Sequence, residues 1–381
     1  MFFRFRPVQL GDLEECFDCI RDGFAFREEG ARQQLQSMWR ELLQRGMMTA
    51  AVIEDRSAPL GQRIVWFCSK VYLTDTYAHS LIRGELPPLP SRQIFDLWRC
   101  KQPLPLLSQA EIRRINSVPA YGEGVTLLVL HYGAPSALFY SDRWLEVAGN
   151  LIAFTEYFTG GYRTRELLEE FYEEYTWSMA QGAGFTLRTD YAGDPGCQGQ
   201  THLGPQPRLY GVNATEANAL PGTLASAIFR YQPPRFFFKL SEQELLLSAL
   251  LGDTDEETSA HLNVAYVTIK KRWQGIYERV EQVMPEIFTV SDLKTPKPVE
   301  TTQPVALPMM RRGPEKRRYL LTYLRHHFEE LRPVVPRESH LSEGNRYSGR
   351  LCQDTNPTFF KLDSAPFNVD VNQFDDSLFE A

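Results

Sequence analysis

Hydrophobic and polar positions change period several times along the chain, and each change marks an element. Phe3–Pro7 alternates apolar and basic residues and predicts a first β-strand. Asp12–Arg21 repeats apolar positions at helical spacing behind an acidic start, and Glu29–Arg45 does so with Leu35, Met38, Trp39, Leu42 and Leu43. Thr49–Glu54 and Arg63–Val71 predict two strands joined by a polar turn. Residues 74–120 break into short helical pieces among prolines and read as an insertion or a lid. Gly124–Tyr132 is a continuous apolar run, the mark of a central strand covered on both faces. Helices are predicted over Ser141–Tyr157 and Arg163–Gln181, and strands at Phe185–Asp190, Arg208–Gly211 and Ala225–Tyr231, with a loop over Asp194–Pro207.

Gln232-Pro233-Pro234 closes this first domain, 1–232, because proline stiffens a linker and cannot continue a sheet. A helical domain follows over 236–290, then a Pro/Thr-rich linker over 291–313. An amphipathic helix spans 314–333, where Pro314–Leu331 is ended by Arg332-Pro333. Residues 334–381 lose all periodicity and read as a largely disordered tail. The fold class expected is α+β, a mixed sheet with helices, followed by an all-α domain.

The net charge of −7 removes general polyanion affinity, so any contact with nucleic acid must come from a local basic face. Apolar runs stay well short of a bilayer span, and the N-terminus lacks a signal-peptide core; a cytoplasmic protein is expected. Six cysteines scattered over 381 residues suit reduced thiols. Cys16 and Cys19 form a lone CxxC on an amphipathic helix, without the second pair or histidines a metal needs.

The helical domain carries the most specific pattern. Leu240-Ser241 leads into Glu244 with Ser241 as the expected cap, and Gly252 stops that helix. Thr254 caps a second helix whose first turn is Asp255-Glu256-Glu257. Leu262 and Val264 supply the aliphatic side chains of a turn, and a third helix starts near Tyr266. On it Ile269, Ile276 and Val280 share one face, while Val267, Lys270, Lys271 and Gln274 share the other.

Leu240, Ser241, Glu244, Leu250, Gly252, Thr254, Glu257, Leu262, Val264, Thr268, Ile269 and Lys270 fall without a gap on the pattern of LuxR/FixJ-type regulators, which this segment resembles. The resemblance implies a helix-turn-helix that binds double-stranded DNA through Tyr266, Val267, Thr268, Lys270, Lys271 and Gln274, and a role in transcription. Thr258 and Ser259 replace the usual Ile-Ala, Ala265 replaces the usual capping serine, and Pro285 interrupts the family's fourth helix. A unit resembling the promoter-reading part of a sigma factor has the same pattern. A protein-packing module is the third alternative, favoured by the acids Glu242, Glu244, Asp253 and Asp255–Glu257. Arg311, Arg312, Lys316, Arg317 and Arg318 offer further phosphate contacts or a solvated helix face. RNA polymerase is a further partner this reading admits, and the Pro314–Leu331 helix with the tail is an alternative docking element for other proteins.

The first domain resembles the GNAT acetyltransferase fold in its order of strand, two helices, hairpin, long apolar strand, helices and strand over residues 3–231. That resemblance implies an acyl-CoA-like ligand whose pyrophosphate rests on a glycine-rich loop at a helix start. The matching stretch is Thr159–Leu168, where Tyr162 and Thr164 stand at the glycine positions and would crowd a phosphate. A sensing or docking domain is therefore expected, with no catalytic, cofactor-binding or metal residues assigned. An acyl-CoA-dependent N-acetyltransferase with an accessory helical domain is the alternative. Glu156, Glu169, Glu173 and Tyr172 are of the right type for a general base but sit in predicted helices, whose faces carry such residues freely. His131, inside the apolar strand, reads as a hydrogen-bonded core histidine, and His326-His327 as surface helix.

Overall fold

Alternation of side chains across a pleated strand decides how this chain folds, because both faces of its sheet are covered. The computed structural model describes residues 3–20, 30–59, 61–117, 124–135, 138, 141–172, 174–191, 207–288 and 313–334. These belong to one compact unit. Seven strands form one mixed sheet in the order β1-β2-β3-β4-β5-β7-β6: β1 (Phe3–Pro7), β2 (Met48–Asp55), β3 (Ile64–Leu73), β4 (Val125–Gly133), β5 (Thr164–Phe171), β6 (Thr186–Asp190) and β7 (Arg208–Asn213). Among the described strands, β4 and β5 run parallel and every other pair is antiparallel.

In β3, Phe67, Val71 and Leu73 face a core built with the helices α1 (Leu13–Asp18) and α2 (Ala31–Gln44). That core also receives side chains from α3 (Asp75–Ile82) and α4 (Pro90–Arg99), so the expected 74–120 insertion is helical and packed, together with α5 (Gln109–Ser117). Trp66, Cys68, Lys70 and Tyr72 point to the opposite face, under α6 (Arg143–Thr159) and α7 (Glu174–Gly182). The short helices α8 (Ala214–Ala219) and α9 (Leu224–Ile228) close that side.

Two expectations are corrected here. Arg163–Gln181, read as one helix, is β5 followed by α7. The Glu-rich Thr164–Phe171 segment is held extended by hydrogen-bonded strands on both sides, which overrides its helical preference. Ala225–Tyr231, read as a last strand, contains α9 instead, with Ala225 and Ile228 buried one helical turn apart. The element order behind the acetyltransferase resemblance is otherwise the order observed, and the N-terminal part is a mixed α/β sheet with that arrangement.

Three further helices stand where the sequence puts them: α10 (Leu240–Leu250), α11 (Asp255–His261) and α12 (Tyr266–Val283). The start of α10 differs from expectation. Lys239 is the cap residue, and its N–H is taken by Glu242 Oε2 at 2.7 Å, so Ser241 lies inside the helix. The Thr254 cap is as expected: Thr254 Oγ1 accepts from Glu257 N at 3.1 Å and Glu257 Oε2 accepts from Thr254 N at 2.8 Å. Asn263, with φ +50°, makes the left-handed turn between α11 and α12, and Leu262 and Val264 pack on the helical core. Pro314–Leu331 is not one helix: α13 (Gly313–Leu324) stops, and a 3-10 turn at Phe328–Leu331 follows. His326 and His327 lie between the two, so they are not on a helix face. The 291–313 linker, except Gly313, the tail from residue 335, Arg311, Arg312 and the 194–206 part of the expected loop lie outside the described residues.

The helical part docks on the sheet through Leu247, Leu251 and Phe328, which pack beside Ala51, Ile53 and Phe154. Polar pairs border this contact: the ion pair of Arg4 with the buried Asp253, and the hydrogen bond of Gln9 with His261. Gly161, at φ +78°, lets the Phe328–Glu329 backbone approach so closely that a Cβ there would lie 2.4 Å from Glu329 N.

Candidate functional site

Val129 pairs with Glu169 as the last register of the parallel strands, and beyond it β4 and β5 part. The β3–β4 register also shifts at this level. Ser69 faces His131 but Lys70 faces Val129, so Leu130 is an extra residue and bulges β4 where it leaves β5. The gap opens into a cavity of about 350 Å³ roofed by α6 and α7. That size suits a small organic ligand.

Register puts Lys70, Val129 and Glu169 in one row on the cavity face of three neighbouring strands. Glu169 is half-buried, and its exposed part faces the cavity. Among the described residues its carboxylate has no hydrogen-bond or ion-pair partner. Burial alone pushes its pKa up to about 8, since an unpaired carboxylate is poorly solvated there. The neighbouring Glu170 points to the other face, where Ser91 donates from both N and Oγ, and burial pushes it to about 7.

Lys70 is 1% exposed, a costly position for an ammonium. Its Nζ donates to Phe158 O and lies 4.3 Å from the Phe158 ring and 4.6 Å from the Tyr162 ring. Arg332 Cζ stands 4.9 Å from the same Tyr162 ring. Burial first, and the Arg332 charge second, hold the Lys70 amine well below the usual lysine range.

Aromatic rings form a continuous ladder along the cavity. Trp144 lies 6.1 Å from Trp66, Trp66 6.0 Å from Tyr132, and Tyr132 6.1 Å from Phe171, centroid to centroid. Trp66, Tyr132 and Trp144 are only half-buried. Cys68 joins them on the wall as a free thiol raised above its ordinary range by burial. His131 is buried and accepts from Trp39 Nε1 through Nδ1 at 3.2 Å; burial lowers it to about 3, which keeps it neutral. It is the core histidine the sequence suggested.

The stretch expected to match a pyrophosphate loop, Thr159–Leu168, runs from the end of α6 into β5. Its backbone N–H groups enter a strand ladder there, and Gly160-Gly161 serve the contact with Phe328-Glu329. The first helix after β4 whose bounds are described starts at Arg143. In that turn Leu138 N, Ser141 N and Trp144 N donate to Pro135 O, Leu138 O and Ser141 O at 2.8–3.0 Å. Leu138 is buried and Arg143 pairs with Asp55. Three of the described amides of this turn are therefore taken by local carbonyls, and one end of the Arg143 guanidinium is taken by Asp55. The cavity itself is lined mainly by apolar and aromatic side chains.

The second candidate surface is α12. Tyr266, Val267, Lys270, Lys271 and Gln274 are exposed and Thr268 is half-buried, while Ile269, Ile276 and Val280 face the helical core. Trp273, not foreseen, joins them; its Nε1 donates to Asp255 Oδ1 at 3.1 Å. Lys270 Nζ lies 4.6 Å from the Tyr266 ring centroid. Two cations expected to be available for phosphates are engaged: Lys316 with Glu281, and Arg317 with Asp255 at 2.8 Å. Several acids are engaged as well. Asp253 pairs with Arg4, and Glu242 lies 3.4 Å from Arg279 Nη2.

Sequence reasoning passed over Trp66, Cys68, Lys70 and Trp144 and set Glu169 aside. Strand periodicity in Leu167-Leu168-Glu169-Glu170-Phe171 was the available signal, since it sends Leu167, Glu169 and Phe171 to one face. Among the described residues no group of three or more histidine, cysteine or carboxylate side chains could hold a metal, and no helix is long and apolar enough to cross a membrane.

No family model matches the chain, and no curated protein matches it. Among solved structures, NAA60 from Arabidopsis thaliana in complex with acetyl-CoA is similar at 17% identity, over 56% of this chain and 99% of that one, with a TM-score of 0.34. The C-terminal condensation domain of Ebony in complex with beta-alanyl-dopamine is similar at 12% identity, over 56% and 99%, with a TM-score of 0.33. FeeM, an N-acyl amino acid synthase from uncultured soil microbes, is similar at 8% identity, over 57% and 93%, with a TM-score of 0.31. At scores this low the description of the N-terminal part rests on its own sheet order and register.

Proposed function

We propose that the cavity between β4 and β5 is an acyl-transfer site, at which an acyl thioester donates to a primary amine and Glu169 is the general base. The observation that carries this reading is an unpartnered carboxyl on the wall of an apolar cavity at the parting of two parallel strands. The bound ammonium gives one proton to the Glu169 carboxylate. The freed amine nitrogen then attacks the thioester carbonyl carbon; the new C–N bond forms, the C–S bond breaks, and the second nitrogen proton leaves with the thiolate as thiol. A base with a pKa of about 8 is well matched to such work near neutral pH. The donor is given as a thioester class, without its nucleotide, because few groups of the turn after β4 are left for a phosphate. Incubation with octanoyl thioesters and a panel of primary amines, with thiol release and amide mass as readouts, tests it. Absence of both products with every amine contradicts it.

A second reading concerns α12. Outward Lys270, Lys271 and Gln274 on a helix anchored by Ile269 and Ile276 support double-stranded DNA as a partner, with the cations on phosphates and Val267 and Gln274 toward base edges. The neutralised acids Asp253 and Glu242 reduce the repulsion that weighed for a packing module. In this reading the chain is a transcription regulator whose cavity carries the ligand-dependent step. An electrophoretic shift with genomic fragments is expected for the wild type and is lost in Lys270→Ala/Lys271→Ala; unchanged binding by the double variant contradicts a role for this face.

A further inference from the structure

Two features of the cavity wall point to the chemistry of its occupant, and they are independent of each other. One is charge. Glu169, half-buried on the wall, turns a carboxyl to the cavity without a described hydrogen-bond or ion-pair partner. The other is ring surface. Trp144, Trp66 and Tyr132 stand in sequence at 6.1 and 6.0 Å, half-buried, beneath a roof of apolar side chains from α6 and α7. Ring faces attract both apolar bodies and cations. Lys70, on the same row of the sheet, is turned to Phe158 O and the Phe158 and Tyr162 rings, and no ion pair joins it to Glu169.

We infer that the acceptor taken by this cavity is a primary amine on an aromatic body, its rings lying on the Trp66–Tyr132–Trp144 ladder and its ammonium on Glu169. This rests on the acyl-transfer reading of the same cavity and narrows it to arylalkylamines. Small polar amines and polyamines are disfavoured, because their second polar groups would lie against apolar walls without partners. Burial raises the Glu169 pKa to about 8, so pairing with an arriving ammonium favours loss of that proton.

Calorimetry on the full chain without any acyl donor tests the inference, using 2-phenylethylamine, 2-phenylethanol and putrescine as probes. The amine is expected to bind at least about tenfold more tightly than either of the others, a difference of about 1.4 kcal/mol. Binding near neutral pH is expected to release about one proton, read from buffers of different ionisation heat. Glu169→Gln should remove both the preference over the alcohol and the proton release. Trp66→Leu should weaken amine and alcohol alike, while keeping the proton release. Equal binding of alcohol and amine, or a preference for amine that survives Glu169→Gln, overturns the inference. Thiol release driven by putrescine, with no binding of 2-phenylethylamine, overturns it and leaves acyl transfer standing. Binding as described, with no thiol release from any donor, leaves the amine site standing and removes acyl transfer.

Discussion

Val129 and Glu169 are the last pair that holds β4 to β5, and the row they share with Lys70 forms the threshold of the cavity. The bulge at Leu130 and the parting of the strands occur at the same level, so a change in backbone course sets the carboxyl at the mouth of an apolar space. Chemistry and architecture meet at that one register.

Removal of the Glu169 charge should alter stability in a pH-dependent way. Burial raises its folded pKa to about 8, above the ordinary 4.5. Unfolding therefore releases a proton between those values, and native stability falls as pH rises through that window. Glu169→Gln lacks this loss. Its melting temperature should equal that of the wild type near pH 4.5 and exceed it by a few degrees above about pH 8. Melting curves across the range check this; a variant less stable at high pH contradicts the assignment of an unpaired, half-buried carboxyl.

The contact between the sheet and the C-terminal turn should be sensitive at Gly161. A Cβ there would meet Glu329 N at 2.4 Å and Phe328 O at 2.7 Å, at a backbone φ of +78°. Gly161→Ala should destabilise the protein by about 2–4 kcal/mol, through steric clash and an unfavourable dihedral together. Denaturant unfolding measures the loss, and a change below about 0.5 kcal/mol contradicts the packing of Phe328-Glu329 on this glycine.

Thr254 provides a local test of the helical part. Its hydroxyl and the Glu257 carboxylate satisfy each other's backbone N–H at 3.1 and 2.8 Å. Thr254→Ala should cost about 1 kcal/mol, and Thr254→Ser should restore most of it. Unfolding of both variants in urea checks the pair.

Donor preference follows from the turn after β4. Leu138, Ser141 and Trp144 amides are bonded locally and Arg143 is paired to Asp55, which leaves few groups of this turn for a nucleotide phosphate. Octanoyl-pantetheine should therefore react within about tenfold of octanoyl-CoA, since tenfold corresponds to only about 1.4 kcal/mol of lost contact. A much larger advantage for the nucleotide donor shows that phosphate contacts exist outside the residues described.

The helical part was the most legible in the sequence because its signals are local. Thr254 with Glu257, Gly252 and the spacing of Ile269, Ile276 and Val280 each lie within a turn or two of what they determine. β5 was not legible: Glu166, Leu167, Leu168, Glu169 and Glu170 are good helix formers, and only pairing with β4 and β7 makes them a strand. The cavity was illegible for the same reason. Trp66, Tyr132, Trp144 and Glu169 are brought together by sheet register, and their spacing in the chain carries no trace of it. Once β5 is taken as a strand, the alternation of Leu167, Glu169 and Phe171 puts a carboxyl between two apolar neighbours on one face, which is the cue a helical reading hides.

The central claim is that the Glu169 carboxylate accepts the proton of an attacking amine, and the pH dependence of thiol release from an octanoyl thioester tests it most directly. With amine well below saturation, where the free enzyme's ionisation governs, the wild-type rate should climb from about pH 6 and level off above about pH 9, and Glu169→Gln should lie at least about 100-fold below the plateau with that rise abolished. A Glu169→Gln enzyme with the wild-type rate and the wild-type profile would contradict the account.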